Sequence, residues 1–265
     1  MKKHLIIGKP ISHSLSPKIH NYWFKQNNID AVYKKISPEK NQIEEIIKNV
    51  KENDIYGMNV TIPYKQEVIP YLEQLSKLAE KTNSVNTIFK KNGKICGDNT
   101  DVYGFENSIK KSDYSVKNKT ALIFGAGGVV PSIITALENM GIKKIYISNR
   151  NKDRIEIIKE TFPHIEEVEW GDVENCDIFI NATSVGLDQK DDLNLDLKKI
   201  EKNKFFYDVI YNPPETNFLK NAKNFGHKTL NGKMMFVYQA QKAFEIWHGF
   251  LPKIDEKLIK FMDND

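Results

Sequence analysis

Residues 121–128 have the sequence ALIFGAGG, a short apolar run that leads directly into a turn containing three glycines. A continuous apolar run is typical of a parallel strand that is buried on both faces. A helix-like segment follows, so strand, glycine turn and helix succeed one another as they do in dinucleotide-binding folds. In such a turn Gly125 permits the tight bend, and Gly127 lets the backbone approach a pyrophosphate at the helix N-terminus. The stretch therefore predicts a doubly wound α/β unit with a dinucleotide site.

The end of the next strand indicates which dinucleotide binds. The strand KKIYIS ends at Ser148, Asn149 and Arg150, where an NAD site places an Asp or Glu for the ribose 2′-hydroxyl. No acid stands there, and Arg150 and Arg154 are the only arginines of the chain. A guanidinium forms charge-assisted hydrogen bonds with a 2′-phosphate, which a carboxylate would repel. We therefore predict NADP as the cofactor, with a solvated helix start as the alternative interpretation of the two arginines.

A second glycine element lies further along the same series of strands and helices. Residues 181–186, NATSVG, follow the apolar strand DIFI. Ligands bind at the carboxyl ends of the strands in open α/β sheets, which favours a role for this element in binding. On its own the motif fits a plain loop equally well, so both interpretations stay open.

The first part of the chain alternates strand-like and helix-like segments, which predicts a second α/β unit. Strands are expected at LIIG, AVYKKI and YGMNV. Helices are expected from Pro17, Pro38 and Pro63, because proline is tolerated in a first helical turn. Asn92 and Gly93 predict a hairpin turn between two short strands.

The expected fold class is α/β with two lobes and a cleft between them. Residues 1–100 plus 238–265 form the N-terminal α/β substrate domain of this expectation, and residues 101–237 form a Rossmann-like, doubly wound NADP-binding domain. The late segment GKMMFVYQAQKAFEIWHG has a helical apolar face, so we expect the last helices to pack back on the first lobe.

Composition excludes several other classes of protein. The 265 residues are 40% hydrophobic and 28% charged, which is ordinary globular composition, and the net charge of +4 is too weak for a nucleic-acid groove. The start MKKHLIIG breaks at Gly8 and Pro10, so neither a signal peptide nor a membrane span is expected there. Cys96 and Cys176 lack the spacing of zinc ligands, which favours a reducing, cytoplasmic setting without metal or disulfide.

Polar side chains that suit a small anionic substrate follow the strands of the first lobe. They are Ser14 and Ser16 after the first strand, Asn59, Thr61 and Lys65 around the end of the third, and Asn86 and Asp101 on either side of the hairpin. From composition and spacing alone, the Lys–Asp pair is more plainly interpreted as a surface ion pair. Ser16 is more plainly interpreted as a simple helix N-cap.

Nine short motifs occur along the chain in one order. They are S-x-S-x-S-P-K, N-V-T-x-P-x-K, N-T, G-D-N-T-D, G-A-G-G, N-R with a following Arg, N-A-T-S-x-G, Y-D-x-x-Y-N-P and G-x-M-M-x-V-x-Q-A. Through these motifs the sequence resembles the shikimate dehydrogenase family over its whole length. The resemblance implies reversible, NADPH-dependent reduction of 3-dehydroshikimate to shikimate, on the route to chorismate and the aromatic amino acids.

The resemblance also implies which residues carry the reaction. Lys65 would act as general acid and base toward the reacting oxygen, oriented by Asp101. The residues implied for substrate binding are Ser14, Ser16, Asn59, Thr61, Lys65, Asn86, Asp101, Tyr211 and Gln239. Those implied for cofactor binding are Gly125, Ala126, Gly127, Gly128, Val129, Asn149, Arg150, Arg154, Thr183, Val209 and Gly232.

Two alternative functions stay open. A quinate and shikimate dehydrogenase that also uses NAD would share the Lys–Asp pair, although the missing acid at Ser148 and Asn149 argues against NAD. A catalytically silent dinucleotide sensor would have lost Lys65 or Asp101, and both are present. Beyond the small-molecule substrate we expect no nucleic-acid or membrane partner, and a monomer or a homodimer.

Overall fold

A computed structural model describes residues 1–173, 175–188 and 190–263. By its internal contacts the chain divides into two compact units: unit 1 is Met1–Gly104 with Val237–Asp265, and unit 2 is Phe105–Phe236. The contacts place the first change of unit after Gly104 rather than after residue 100, and the second after Phe236 rather than after residue 237.

The chain begins with strands and helices in alternation. The elements of the first stretch are β1 (Lys2–Ile7), α1 (Ser16–Gln26), β2 (Ala31–Ile36), α2 (Ile43–Lys51), β3 (Gly57–Val60), β4 (Gln74–Leu75), α3 (Lys77–Thr82), β5 (Thr87–Lys91), β6 (Lys94–Asp98) and α4 (Asp101–Lys110). The predicted hairpin is confirmed: β5 and β6 are antiparallel, and Asn92 and Gly93 between them both have positive φ, 51° and 78°.

A second series of strands and helices follows, and the chain ends in two helices. The elements are β7 (Thr120–Phe124), α5 (Val130–Asn139), β8 (Lys144–Ser148), α6 (Lys152–Thr161), β9 (Glu166–Glu167), β10 (Ile178–Asn181), β11 (Phe205–Asp208), α7 (Asn217–Asn224), β12 (Lys228–Leu230), α8 (Lys233–His248) and α9 (Glu256–Asp263). From Val237 onward α8 belongs to unit 1, as does α9.

Unit 1 contains a sheet in the order β2-β1-β3-β5-β6-β4. In it β1 is parallel to both β2 and β3, whereas β5 is antiparallel to β3. Ile7 at the end of β1 pairs with Val60 at the end of β3, so the loops that follow these two strands leave from the same edge of the sheet. Just beyond this edge the two loops meet, because the Lys9 N–H donates to the Ile62 carbonyl oxygen at 2.9 Å.

Two of the proline signals in unit 1 mispredict the helices. The helix expected from Pro38 begins only at Ile43, after a single 3₁₀ turn at Lys40–Gln42. The helix expected from Pro63 is wrong, because residues 63–68 form successive turns and a short 3₁₀ helix follows at Ile69–Tyr71. The carbonyl oxygen of Lys65 accepts a hydrogen bond from the Val85 N–H, 2.9 Å away, instead of continuing a helical ladder. Pro70 lacks an N–H and closes the segment before a helix of useful length can form.

Unit 2 contains a sheet in the order β12-β11-β10-β7-β8-β9, and every pair of neighbours is parallel. The chain starts at β7, moves outward to β8 and β9, and then returns to the other side of β7 with β10. This reversal between β7 and β10 is the topological switch point at which doubly wound folds bind ligands. The predicted glycine turn after β7 and the NATSVG segment after β10 both lie at this point.

The described part of the chain holds no helix with the length and apolar character needed to cross a membrane. Among the same residues no group of three or more His, Cys, Asp and Glu side chains is placed to hold a metal ion. Cys96 and Cys176 are both buried thiols.

Candidate active site

Lys65 and Asp101 form a partly enclosed ion pair in unit 1. Lys65 Nζ lies 2.5 Å from Asp101 Oδ2, and the two side chains are only 12% and 10% exposed. Lys65 belongs to the turns that follow β3, and Asp101 is the first residue of α4, where a carboxylate is favoured by the positive helix N-terminus. The fold thus joins two groups that lie 36 residues apart in sequence.

The carboxylate of Asp101 is held from a second side. Asn86 Nδ2 donates to Asp101 Oδ1 at 2.9 Å, so one carboxylate oxygen faces Asn86 and the other faces Lys65. Asn86 is itself fixed, because its Oδ1 accepts a hydrogen bond from the Thr100 N–H at 2.8 Å. Asn86 is 3% exposed and Asp101 is 7% exposed, so the arrangement is largely shielded from water. Hydrogen bonds and ion pairs are stronger in such surroundings.

The amide of Asn59 is fully engaged within unit 1. Its Nδ2 donates to the Asn86 carbonyl oxygen and to Thr87 Oγ1, both at 3.0 Å. Its Oδ1 accepts a hydrogen bond of 2.7 Å from the Tyr33 hydroxyl. Asn59 is 5% exposed. The structure therefore places this predicted substrate residue beside Asn86, with both of its amide hydrogens used inside the protein.

Ser14 and Ser16 lie at the start of α1. The Ser16 N–H donates to Ser14 Oγ at 3.3 Å, and Ser16 is buried while Ser14 is half-buried. The N-cap position of α1 is Leu15, so the interpretation of Ser16 as the N-cap is wrong. Thr61, which follows β3, packs against Gly8 in the loop between β1 and α1. A Cβ atom on Gly8 would collide with Thr61 Cγ2. The structure thus brings the two serines and Thr61 to one edge of the unit 1 sheet.

The other two residues implied for the substrate lie elsewhere in the chain. Gln239 is half-buried on α8, in the part of that helix that belongs to unit 1. Tyr211 belongs to unit 2, where its ring stacks on Phe236 with centroids 5.0 Å apart. Burial raises the pKa of Tyr211 to about 12, so its hydroxyl stays protonated near neutral pH.

The glycine turn of unit 2 has the conformation that a pyrophosphate site requires. Gly125 has φ +108°, and a Cβ atom there would lie 2.8 Å from the carbonyl oxygen of Ala182. A Cβ atom on Gly127 or Gly128 would meet nothing within 4 Å, so the backbone of this turn is open to a ligand. The first N–H groups of a helix point outward without intrahelical partners, and α5 begins directly after Val129. The turn therefore fits a bound dinucleotide.

The two arginines lie at the C-terminal end of β8 and in the first turn of α6. Both are exposed, and the Arg150 guanidinium lies 5.0 Å from the centroid of the Trp170 ring. A guanidinium stacked on an aromatic face is restrained in direction while its N–H groups remain available. Asn149 Nδ2 donates to the Asn151 carbonyl oxygen at 2.7 Å, which shapes the loop between the two arginines. This geometry fits recognition of a phosphate.

Two close approaches bring the remaining predicted cofactor residues beside one another. A Cβ atom on Gly125 would lie 3.0 Å from Thr183 Cγ2, so the turns after β7 and β10 are in contact. A Cβ atom on Gly232 would lie 2.5 Å from the carbonyl carbon of Val209. Only glycine permits these approaches, and they gather the loops at the carboxyl edge of the unit 2 sheet.

A buried carboxylate that is not among the predicted site residues, Asp208, connects the loops after β10 and β11. Asp208 accepts hydrogen bonds from Thr216 Oγ1 at 2.6 Å, from the Ile210 N–H at 2.9 Å and from Asn181 Nδ2 at 3.1 Å. Asn181 Oδ1 in turn accepts from the Thr183 N–H at 3.0 Å. Burial raises the pKa of Asp208 to about 6. The pair Asn181 and Asp208 therefore holds Thr183 in place.

Sequence reasoning also missed Tyr33, Thr87 and Thr100 in unit 1. Both threonines lie within motifs that were recognised, Thr87 in N-T and Thr100 in G-D-N-T-D, so their neighbours offered a signal. Tyr33 offered none, because it lies on β2, outside every motif, and its contact with Asn59 spans 26 residues.

Two family descriptions match the chain. "Shikimate dehydrogenase substrate binding domain" matches residues 6–88, and "Shikimate / quinate 5-dehydrogenase" matches residues 107–222. The shikimate dehydrogenase (NADP(+)) of Pelagibacter ubique is 54% identical over 262 residues, which cover 99% of both chains.

Solved structures show the same fold. Shikimate 5-dehydrogenase from Thermus thermophilus, in complex with NADP(H) and shikimate, has a TM-score of 0.87 and 29% identity, covering 96% of this chain and 95% of that one. The enzyme from Listeria monocytogenes, in complex with shikimate and NAD, has a TM-score of 0.88 and 28% identity. The match covers 99% of this chain and 96% of that one. The predicted α/β fold class and the predicted family are confirmed.

Proposed function

The chain belongs to the shikimate dehydrogenase family, and on that basis we propose that it reduces 3-dehydroshikimate to shikimate with NADPH, using Lys65 and Asp101 for proton transfer. The observation that supports this assignment is the enclosed contact between Lys65 Nζ and Asp101 Oδ2. Exposed ion pairs are common and need no functional explanation. A shielded pair held by a third side chain, Asn86, at the end of parallel strands is a suitable place for acid–base chemistry.

Lys65 supplies the proton that the reduction requires. When a ring ketone is reduced, negative charge develops on its oxygen, and the Lys65 ammonium stabilises that charge and then donates a proton to it. In the oxidation direction the neutral amine removes the proton from the shikimate hydroxyl. A positioned acid or base of this kind contributes on the order of 10²- to 10⁴-fold in rate.

Asp101 orients Lys65 and faces the substrate. One of its oxygens accepts from Lys65 and the other from Asn86, so neither the carboxylate nor the lysine can turn freely. The ring hydroxyls of shikimate are donors that a carboxylate and an amide can bind. We assign these contacts to Asp101 and Asn86.

The substrate carboxylate binds near the start of α1 in this proposal. Ser14 and Ser16 present hydroxyl groups there, and the N-terminal end of an 11-residue helix carries a partial positive charge. Thr61 lies at the same edge of the sheet and lines the site. Tyr211 and Gln239 complete the set of substrate residues that we assign.

NADP is the cofactor, and the residues of unit 2 fit it. Residues 125–129 would hold the pyrophosphate, and Asn149, Arg150 and Arg154 the 2′-phosphate of the adenosine. The loops that carry Thr183, Val209 and Gly232 complete the site. When bound, the reduced cofactor supplies the hydride.

The same residues favour NADP over NAD. Arg150 rests on Trp170 with its guanidinium available to a phosphate. The family description that matches unit 2 covers both shikimate and quinate, so quinate is the second candidate substrate. Quinate differs from shikimate by an added hydroxyl group and a saturated ring at the carbon that bears the carboxylate, near the positions assigned to Ser14 and Ser16.

A spectrophotometric assay tests the proposal. Purified protein is mixed with shikimate and NADP⁺, and absorbance is followed at 340 nm, with parallel reactions containing quinate or NAD⁺. We expect the highest kcat/KM with shikimate and NADP⁺. A folded protein that gives no absorbance change with shikimate and either cofactor would rule out the activity. If kcat/KM is higher with quinate than with shikimate, quinate is the substrate instead.

We also propose that the protein acts as a monomer or homodimer in the reducing cytoplasm. Two buried thiols are typical of proteins that are not exposed to oxidising surroundings. Light scattering of the purified protein measures its mass against the 30.6 kDa chain, and cell fractionation measures its location. A mass above two chains, or secretion of the protein, would contradict these two statements.

A further inference from the structure

We propose that Tyr33 is a positioning residue for the reaction assigned to unit 1: its hydroxyl group orients Ser16 and Asn59, and through Asn59 the site around Asp101. The inference rests on the proposed function, because it takes Ser16 as a substrate contact and Asp101 as part of the proton-transfer pair. It assigns a role to a side chain that lies outside every recognised motif.

Tyr33 is held rigidly before its hydroxyl makes any contact. Its N–H donates to Asn21 Oδ1 at 2.9 Å, and its carbonyl oxygen accepts from Asn21 Nδ2 at 3.0 Å, which fastens β2 to α1. Its ring stacks on His20 with centroids 4.5 Å apart and planes 2° apart. Tyr33 is 2% exposed. With its backbone held by Asn21 and its ring stacked on His20, Tyr33 places its hydroxyl at one point.

At that point the hydroxyl meets two residues at once. It donates to Asn59 Oδ1 at 2.7 Å, and the Ser16 side chain forms a hydrogen bond with it. A tyrosine hydroxyl has one hydrogen and two lone pairs, so donation to Asn59 leaves its oxygen to accept from Ser16. Burial raises the pKa of Tyr33 well above its usual value, so the hydroxyl keeps its hydrogen throughout the working pH range.

The contact with Tyr33 fixes which way the Asn59 amide points. Asn59 Nδ2 already donates to the Asn86 carbonyl oxygen and to Thr87 Oγ1. Reversing the amide would set Asn59 Oδ1 against the Asn86 carbonyl oxygen, which is also an acceptor, and would remove the acceptor to which the Tyr33 hydroxyl donates. A buried polar group without a partner is costly, so only the observed orientation is stable.

The hydrogen bonds continue from Asn59 to the ion pair. Thr87 Oγ1 donates to Asn86 Oδ1 at 3.1 Å, and Asn86 Nδ2 donates to Asp101 Oδ1 at 2.9 Å. We call this set the buried polar chain, and its members are Ser16, Tyr33, Asn59, Thr87, Asn86, Asp101 and Lys65. Hydrogen bonds in series polarise one another, so a break at Tyr33 affects both ends.

The first experiment compares Tyr33→Phe with the unchanged protein in the shikimate assay. Phenylalanine keeps the ring and its stack on His20 but removes the hydroxyl. We expect the KM for shikimate to rise about 3- to 10-fold, the effect of losing one hydrogen bond, while the KM for NADP⁺ stays within twofold. An unchanged KM for shikimate, or an equal rise for NADP⁺, would overturn the inference.

Tyr207→Phe is the matched control. Tyr207 is also fully buried, its hydroxyl lies 3.0 Å from Ser108 Oγ, and its ring packs against Phe105, but all three residues belong to unit 2. This variant loses a comparable hydroxyl and reports what lost stability alone does. We expect its KM for shikimate to stay at the level of the unchanged protein. A rise equal to that of Tyr33→Phe would show that the effect is only structural.

A double-mutant cycle tests whether Tyr33 acts through Ser16. If it does, adding Tyr33→Phe to Ser16→Ala raises the KM for shikimate by less than the product of the two single effects, because the shared contact is already lost. Multiplicative effects would overturn this part of the inference.

Thr87 gives a second test that does not depend on the folding of Tyr33→Phe. Thr87→Val keeps the shape but removes the hydroxyl that links Asn59 to Asn86, and Thr87→Ser keeps that hydroxyl. We expect a raised KM for shikimate in the valine variant and recovery in the serine variant. Equal kinetics in the two would overturn the chain of contacts. Absence of activity in the unchanged protein would overturn the proposed function and this inference together.

Discussion

Gly57 and Trp247 lie so close together that the indole ring fills the space of any larger side chain at residue 57. A Cβ atom on Gly57 would be 2.5 Å from Trp247 Cε2. The ring cannot withdraw, because Trp247 is 5% exposed and its Nε1 donates to the Ile88 carbonyl oxygen at 3.2 Å. Helix α8 thus packs against the unit 1 sheet, whose strand β3 carries Asn59 and leads into the turns that contain Lys65.

We expect Gly57→Ala to lower the free energy of unfolding by about 1–3 kcal/mol, because overpacking displaces a fixed ring. Urea unfolding monitored by tryptophan fluorescence and circular dichroism measures the change. Trp247→Phe in the same background should recover part of the loss, since the smaller ring leaves room for the methyl group. If the losses of stability measured for Gly57→Ala and for Trp247→Phe simply add in the double variant, the two side chains do not collide.

Lys65→Ala should lower kcat by about 10²- to 10⁴-fold with little change in the dissociation constant for shikimate, because the variant loses the proton donor. Steady-state kinetics and equilibrium binding separate the two effects. Lys51→Ala is the control: Lys51 is an exposed lysine of unit 1 that pairs with Glu73 at 2.9 Å. A Lys65→Ala protein with near-normal kcat would exclude Lys65 from the chemistry.

Replacing Arg150 or Arg154 with Ala should weaken NADP⁺ binding about 10- to 100-fold while changing NAD⁺ binding far less, because charge-assisted hydrogen bonds to the 2′-phosphate are lost. Titration calorimetry with both cofactors measures the ratio. Lys152→Ala removes one positive charge from the same helix, where Lys152 pairs with Glu169, and should leave the ratio unchanged. Equal losses for the two cofactors would contradict recognition of the phosphate.

Gly125→Ala and Gly128→Ala should separate folding from cofactor binding. Gly125 has φ +108° and faces the Ala182 carbonyl, so alanine there is expected to cost on the order of 1–3 kcal/mol of stability. Nothing surrounds a Cβ atom on Gly128, so its variant should keep its Tm and yet bind NADP⁺ more weakly. Normal NADP⁺ affinity in Gly128→Ala would show that the pyrophosphate does not approach this turn.

Acid should destabilise the protein through histidines buried in unit 1. Burial, together with His248 and Lys2 nearby, lowers the pKa of His4 to about 3, and burial lowers that of His248 to about 4. The unfolded chain takes up these protons near pH 6.5. The contribution of the two histidines to the free energy of unfolding is therefore fully present above that pH and is lost as the pH falls toward 4. Each histidine contributes a slope of about 1.4 kcal/mol per pH unit.

His4→Phe should flatten this dependence in urea unfolding between pH 7 and pH 5. Asp208 titrates with the opposite sign, because burial raises its pKa from 3.8 to about 6 and its contribution is lost as the pH rises through that value. Asp208 titrates in the same way in the unchanged protein and in His4→Phe, so the difference between their slopes reports His4 alone. His13→Gln, at an exposed position, is the control. An unchanged slope in His4→Phe would show that the pKa of His4 does not differ between the folded and the unfolded chain.

Local signals predicted most of the elements correctly. The glycine turn after β7 and the Asn92–Gly93 hairpin need particular backbone angles, and few residues adopt them. The same kind of signal misled at Pro63, where the chain looked ready to begin a helix. There the long-range bond from Val85 to the Lys65 carbonyl determines the path of the chain.

The site was predicted as a set of residues, but its internal arrangement was not. Lys65 and Asp101 were recognised from motifs, whereas the contact of Tyr33 with Asn59 joins two strands through a residue that no motif contains. Likewise the role of Asp208 in holding the loops of unit 2 depends on its contacts with Asn181 and Thr216, which lie in different segments.

The alternation of strands and helices, the glycine turn, the pair of arginines and the order of the motifs can all be read from local sequence, because propensity and turn chemistry act between near neighbours. Long-range packing sets which buried polar groups pair with one another: Asn86 with Asp101, Tyr33 with Asn59, and Trp247 with the carbonyl of Ile88. A buried donor takes whichever acceptor the packed strands bring within reach, and that choice exists only once the chain has folded.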